Sequence, residues 1–272
     1  VIRLVGVRKR YSGRGEVLAG VDLELAPGRP VSVVGGNGTG KSTLLRIVAG
    51  VASASAGSVD GRPDRVGYVP QAVPPARLNV LSYLRHHAAL HGVGGADRTR
   101  GAVEVLDELG FTGDRGGRLA ALSSGNLQKV VLGQAMGCAA DLLVLDEPWT
   151  ALDAAAVQAL ERRLAAEAAA GRMLLVADHT GRAARLPGAR TLRVVDGLLV
   201  EVPVDEPVVE AWSTVLLRCP VDPAQTLAEL PRVARSWQED GLLGVRLPAT
   251  GGDALLAAAL QLGCSVISVR RT

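Results

Sequence analysis

The stretch Pro30–Thr43, PVSVVGGNGTGKST, decides the fold. Pro30 to Val34 is a short apolar run that ends in glycines, the pattern of a buried strand entering a loop. Gly35–Thr43, GGNGTGKST, then fits G-x-x-x-x-G-K-[ST]. Its glycines let the backbone curl so that successive N–H groups point at phosphate oxygens. A helix from near Lys41 to Gly50 turns its positive end to the same place. Lys41 is placed to reach β- and γ-phosphates, and the Ser42 hydroxyl to ligate Mg²⁺. The candidate cradle is therefore Gly35, Gly36, Asn37, Gly38, Thr39, Gly40, Lys41, Ser42 and Thr43. A glycine-rich turn before an ordinary helix is the plainer alternative, but the phosphate reading requires both the strand before and the helix after. Only three lysines occur, Lys9, Lys41 and Lys129, in a chain where arginine supplies almost all other positive charge.

Downstream, DLLVLDEP (Asp141–Pro148) reads as a buried strand delivering two acids to a sheet edge. Asp146 is a candidate Mg²⁺ ligand, directly or through water. Glu147 points elsewhere on an extended backbone and is a candidate general base for an attacking water. Taken singly, they also suit a strand-end acid and a helix-start acid favoured by the dipole. With the phosphate loop upstream, the pair indicates a P-loop nucleoside triphosphatase.

Between these motifs lies LSSGNLQKV (Leu122–Val130), which resembles the ABC signature, usually LSGGQ. With the other motifs in register, residues 2–202 resemble an ABC-type nucleotide-binding domain. The resemblance implies an α/β fold: a parallel core sheet, an antiparallel β subdomain and a helical subdomain. It also implies roles. Tyr11 falls where an aromatic stacks on adenine. Gln71, in YVPQ, falls in the loop that contacts Mg²⁺ and water and faces a transmembrane partner. Ser123 and Gly125 would contact ATP held by a second copy. Asp153, in TALD, would lie at the dimer seam. His179, after MLLVAD, would contact the γ-phosphate and position Glu147 and water. Plainer roles exist for each: a loop aromatic at Tyr11, a polar turn at Gln71, helix N-caps at Ser123 and Asp153, and a surface histidine at 179. Ser124 and Asn126 depart from the usual Gly and Gln, which predicts reduced support from this signature.

Alternating strands and helices indicate a mainly parallel sheet covered by helices. Strands are expected at 2–7 and 21–26, with Tyr11 in the loop between them. Others are expected at 66–69, 141–145 and 173–177, with a hairpin around Gly197. A helical insertion is expected at about 72–137 and a long helix at 153–170. VPVDEPVVE makes 203–210 the linker candidate, followed by a small α+β module at 211–272. His86, His87 and His91 include an i,i+4 pair that can bind zinc. No acid or cysteine completes a shell, so a solvated helix face is expected.

A formal charge of +3, spread along the chain, gives no nucleic-acid surface. Cys138, Cys219 and Cys264 are far apart and lack C-x-x-C spacing; they read as reduced thiols. No apolar run reaches the roughly 20 residues of a membrane helix. The expectation is a soluble ATPase at the inner face of the cell membrane through a permease partner, as a homodimer or heterodimer. The insertion and tail resemble bacterial drug-exporter subunits, so export is expected. A soluble non-transport ABC ATPase and an ATP-sensing module are the alternatives.

Overall fold

The computed structural model describes residues 1–72, 78–95, 98–202, 212–219, 233, 235–239, 241–248 and 252–271. Contacts divide the chain into two units, Val1–Pro207 and Val208–Thr272. The linker expected at 203–210 lies outside the described residues.

The first unit opens on a hairpin, β1 (Ile2–Tyr11) and β2 (Arg14–Leu25). Both strands run beyond their expected lengths. Past Val7 the outward chain is charged rather than alternating, and cross-strand pairing carries the strand on, with Arg8 bound to Glu16 at 3.2 Å. Tyr11 therefore ends a strand instead of lying in a loop. After β3 (Val31–Val34) and α1 (Lys41–Val48) comes β4 (Ala56–Asp60), which sequence reading missed. AGSVD has no apolar alternation because most of its residues are exposed; pairing with β1, Leu4 opposite Val59, makes it a strand. These strands form an antiparallel sheet in the order β2-β1-β4.

The central sheet adds β5 (Val66–Val69), β6 (Leu142–Asp146), β7 (Met173–Ala177), β8 (Arg190–Val195) and β9 (Leu198–Val202). Its order is β5-β6-β7-β3-β8-β9, parallel except for β9. β3, β6 and β7 are buried along their whole length, as expected of strands covered on both faces. One core joins the antiparallel sheet and α1 to the central sheet. A second fills the opposite face beneath α4 (Ser124–Met136) and α5 (Ala154–Ala169). The insertion contributes α2 (Val80–Leu90) and α3 (Arg100–Glu108), which pack on α4 through Leu84, Leu106 and Val130.

The second unit is a four-stranded antiparallel sheet of β10 (Trp212–Arg218), β11 (Arg235–Glu239), β12 (Leu242–Pro248) and β13 (Ser265–Arg271), with α6 (Gly252–Gln261). Its strand order is β11-β12-β10-β13. Within the α+β module expected at 211–272, the stretch AQTLAEL, which reads as a helix in the sequence, lies outside the described residues. The expectation of three reduced thiols is corrected here. β10 pairs with β13 so that Arg218 faces Ser265, which sets the adjoining Cys219 and Cys264 4.1 Å apart at Cα and joined as a disulfide. Cys138 remains a free, buried thiol.

Candidate nucleotide site

The site lies at the carboxyl ends of β3, β6 and β7, the edge where parallel sheets bind ligands. Gly35, Gly38 and Gly40 have φ of 147°, 79° and 113°, which residues bearing a Cβ rarely adopt. A Cβ at Gly40 would also lie 2.9 Å from the Val17 carbonyl, so the loop is pressed against β2. Thr39 Oγ1 donates to the Gly36 carbonyl at 3.0 Å. Lys41 Nζ donates to the carbonyls of Gly35 and Gly36, both at 2.8 Å. No side chain caps the start of α1, so its first N–H groups and the loop amides face the cleft together.

The cleft has a volume of about 540 Å³. Asn37, Gly38, Gly40, Lys41, Ser42 and Thr43 form its floor, with Asp146 and Glu147 beside them. Tyr11, Val17, Arg46 and Gln71 complete the rim. Tyr11 is 36% exposed, and Lys9 Nζ lies 5.0 Å from its ring centroid. Ser123, Gly125 and Asp153 do not line this cleft. Ser123 caps α4, accepting from Asn126 N at 3.3 Å. Asp153 caps α5, accepting from Ala156 N at 2.8 Å.

Asp146 is 1% exposed. Burial holds its carboxyl above the usual carboxylate range, against a hydrogen bond from Ser42. Burial likewise pushes the Lys41 ammonium down, against the attraction of Glu147 and Asp146. Asp146 Oδ2 is buried without a hydrogen-bond partner. A buried carboxylate oxygen beside a serine hydroxyl fits a hard divalent cation such as Mg²⁺.

Glu147 has a positive φ of 53° and donates its N–H to the Ala177 carbonyl at 2.9 Å. Its carboxylate contacts His179 Nδ1. Asp178, for which sequence reading proposed no role, is what shapes this turn. Its carboxylate accepts from Thr180 N and Thr180 Oγ1, both at 2.8 Å, from Arg182 N at 2.6 Å and from Ala183 N at 3.2 Å. Glu147, Asp178 and His179 offer ligand atoms within 4.8 Å of one another, the one such group among the described residues. Asp178 is already committed to the turn, so the group reads as an aimed Glu–His pair. His86, His87 and His91 do not converge into a metal site. Nor is their face simply solvated: His87 is half-buried, 4.4 Å from the Tyr83 ring, and burial lowers its pKa, with His86 and His91 adding to the effect.

The fold and the site define a P-loop nucleotide-binding protein. The family described as ABC transporter matches residues 18–150. The aliphatic sulfonates import ATP-binding protein SsuB 3 of Nocardia farcinica is 34% identical over 208 residues, 74% of this chain and 79% of that protein. The chain belongs to the ABC transporter family. SsuB 2 of Xanthomonas axonopodis pv. citri is 42% identical over 56% of this chain and 53% of that protein. The zinc import ATP-binding protein ZnuC of Cereibacter sphaeroides is 40% identical over 52% of this chain and 57% of that protein. The chain thus spans about half the length of these last two relatives. Among solved structures, an ATP-binding subunit of an ABC transporter superposes with a TM-score of 0.68 at 24% identity, covering 76% of this chain and 91% of that one. The dimeric cassette MJ0796 gives 0.66 at 24%, covering 75% and 99%. These two establish the fold. The curated relatives are named for import, so the expectation of export gains no support from them.

Proposed function

We propose that this chain binds Mg-ATP and hydrolyses it as the ATP-binding subunit of a membrane transporter. One observation carries the reading. The loop-bound Lys41 ammonium, the Asp146 carboxylate and the Glu147–His179 pair meet at one cleft, on the ends of three adjacent strands.

Phosphoryl transfer to water needs charge neutralisation and an oriented nucleophile. Lys41 and the loop amides bind the triphosphate, and Tyr11 offers its ring to the base. Ser42 and Asp146, with Gln71 at the rim, would hold Mg²⁺, which supplies charge neutralisation at the β- and γ-phosphates. Glu147 takes the proton of the attacking water, and His179, in contact with it, fixes its aim. Ser123, Gly125 and Asp153 do not line the chain's own cleft, which suits completion of a second copy's site. Among the described residues no helix is long and apolar enough to cross a membrane; in this reading a permease supplies the membrane path. The relatives' names favour import.

Glu147→Gln is the test. It should keep Mg-ATP affinity and lose about 100-fold or more in phosphate release. Equal release from both proteins would remove the enzyme reading. An ATP-sensing role is the second reading, favoured by Asn126. Its Oδ1 accepts from Thr112 N at 3.2 Å and its Nδ2 donates to Thr112 Oγ1 at 3.3 Å, so the amide serves its own chain. Wild-type phosphate release no higher than the protein-free background, with Mg-ATP still bound, would select it.

A further inference from the structure

The helix bearing the signature and the loop bearing Glu147 are fastened at three points. Gln128 is buried in α4, and its Nε2 donates to the Pro148 carbonyl at 3.0 Å, one residue beyond Glu147. A Cβ on Gly125 would lie 2.7 Å from the Ala151 carbonyl, so helix and loop meet without space for a side chain. Lys129, only 5% exposed, donates to Asp153 Oδ2 at 2.8 Å and to the Gly110 carbonyl at 3.0 Å. The loop between these fasteners holds two non-glycine residues at positive φ, Glu147 at 53° and Ala151 at 61°. Such a backbone persists only where its surroundings over-determine it. Within the loop, the Thr150 N–H donates to the Glu147 carbonyl at 3.1 Å and the Leu152 N–H to the Trp149 carbonyl at 3.3 Å; α4 adds its fasteners to these.

We propose that Gln128 and Lys129 are positioning residues for hydrolysis: from α4 they hold the 147–153 backbone and so aim the Glu147 carboxylate. Neither side chain lines the nucleotide cleft, so their effect falls on the chemical step and not on nucleotide capture. The buried ammonium is the more telling of the two. Desolvating Lys129 is costly unless it is paired, and its partner is the exposed cap of the next helix. Because α4 begins at Ser123, the element expected to meet a second copy's nucleotide also holds the base of its own chain. The proposal rests on Glu147 acting as the base.

The test uses the full chain, reading steady-state phosphate release and, separately, equilibrium binding of Mg-ATP. Gln128→Leu keeps size and loses the donor; Lys129→Met keeps length and loses the charge. Each should lower kcat by about tenfold or more, with the Kd for Mg-ATP within about threefold of wild type, because small misplacements of a reacting group are costly. Lys129→Arg, which still reaches Asp153, should restore kcat to within about threefold. The double variant should fall little below the worse single, as expected of residues acting through one loop. Smaller kcat losses, a rise in Kd that accounts for the loss, or failure of arginine to restore the rate would each overturn the proposal. If a core variant gives no cooperative melt, Asp153→Asn decides from the solvent side: a kcat loss of about tenfold with ATP-driven dimerisation unchanged supports the proposal, and a smaller loss, or one that follows weakened dimerisation, overturns it. Glu147→Gln is measured in parallel. Wild-type turnover there would defeat the base assignment itself, an outcome separable from unchanged rates in the α4 variants.

Discussion

Lys41 and Asp146, the proposed phosphate and Mg²⁺ ligands, sit in the cleft at some expense to the fold. Burial dominates both, lowering the ammonium and raising the carboxyl. An acid whose pKa is raised on folding stabilises the fold most below the ordinary carboxylate range, and that contribution is lost as pH rises through the raised value. Burial of Asp146 therefore opposes folding of the nucleotide-free protein more at neutral pH than at low pH. Asp146→Asn should raise Tm at pH 7, raise it less near pH 4, and abolish the Mg²⁺ dependence of nucleotide binding. Calorimetry at the two pH values checks the sign; equal shifts would show that burial is not the dominant cause. Ala151 sits at a φ of 61°, where a Cβ costs about 1 kcal/mol. Ala151→Gly relieves that strain but adds freedom of similar worth to the unfolded chain, so urea unfolding should shift by less than about 1 kcal/mol.

Among the elements, α2 shows how local chemistry and packing divide the work. Asn79 Oδ1 accepts from Ser82 N at 2.7 Å, while Val80, Leu84 and Ala88 face the insertion's core. Asn79→Ala should cost about 1 kcal/mol, measured by chemical denaturation. That loss should not alter Mg-ATP affinity, since Asn79 does not line the cleft. The turn after β7 works in the opposite way. Four hydrogen bonds converge on one buried carboxylate, Asp178, and the residue that benefits is its neighbour, His179. No periodicity marks such a hub, because three of its four donors are backbone N–H groups, and only the folded turn gathers them with the Thr180 hydroxyl.

For the whole molecule, the two units invite separate tests. In the second, Cys219 and Cys264 close a loop of 45 residues. On the chain-entropy account such a crosslink stabilises by about 4 kcal/mol. A reductant should lower the melting of the Val208–Thr272 unit and leave that of the cassette unchanged; differential scanning calorimetry with and without reductant would show two transitions moving independently. A single transition that shifts as one would contradict separate units.

The motifs are local, and so they could be read from the chain alone. G-x-x-x-x-G-K-[ST] and DLLVLDEP carry their own strands, turns and helix starts within a few residues, and the order of the motifs implied the family. The lengths of β1 and β2 came from pairing across their hairpin, since hydrogen bonding across a sheet is indifferent to side-chain alternation, and the existence of β4 and the pairing of Cys219 with Cys264 required segments distant in sequence to lie side by side. The fastening of Gln128 and Lys129 to Pro148 and Asp153 had the same cause. A buried amide or ammonium looks like any polar helix residue until its partner is in place. Sequence therefore determined which groups the site contains, and the tertiary structure decided how they are aimed, because aim depends on contacts between segments that the chain's order does not bring together.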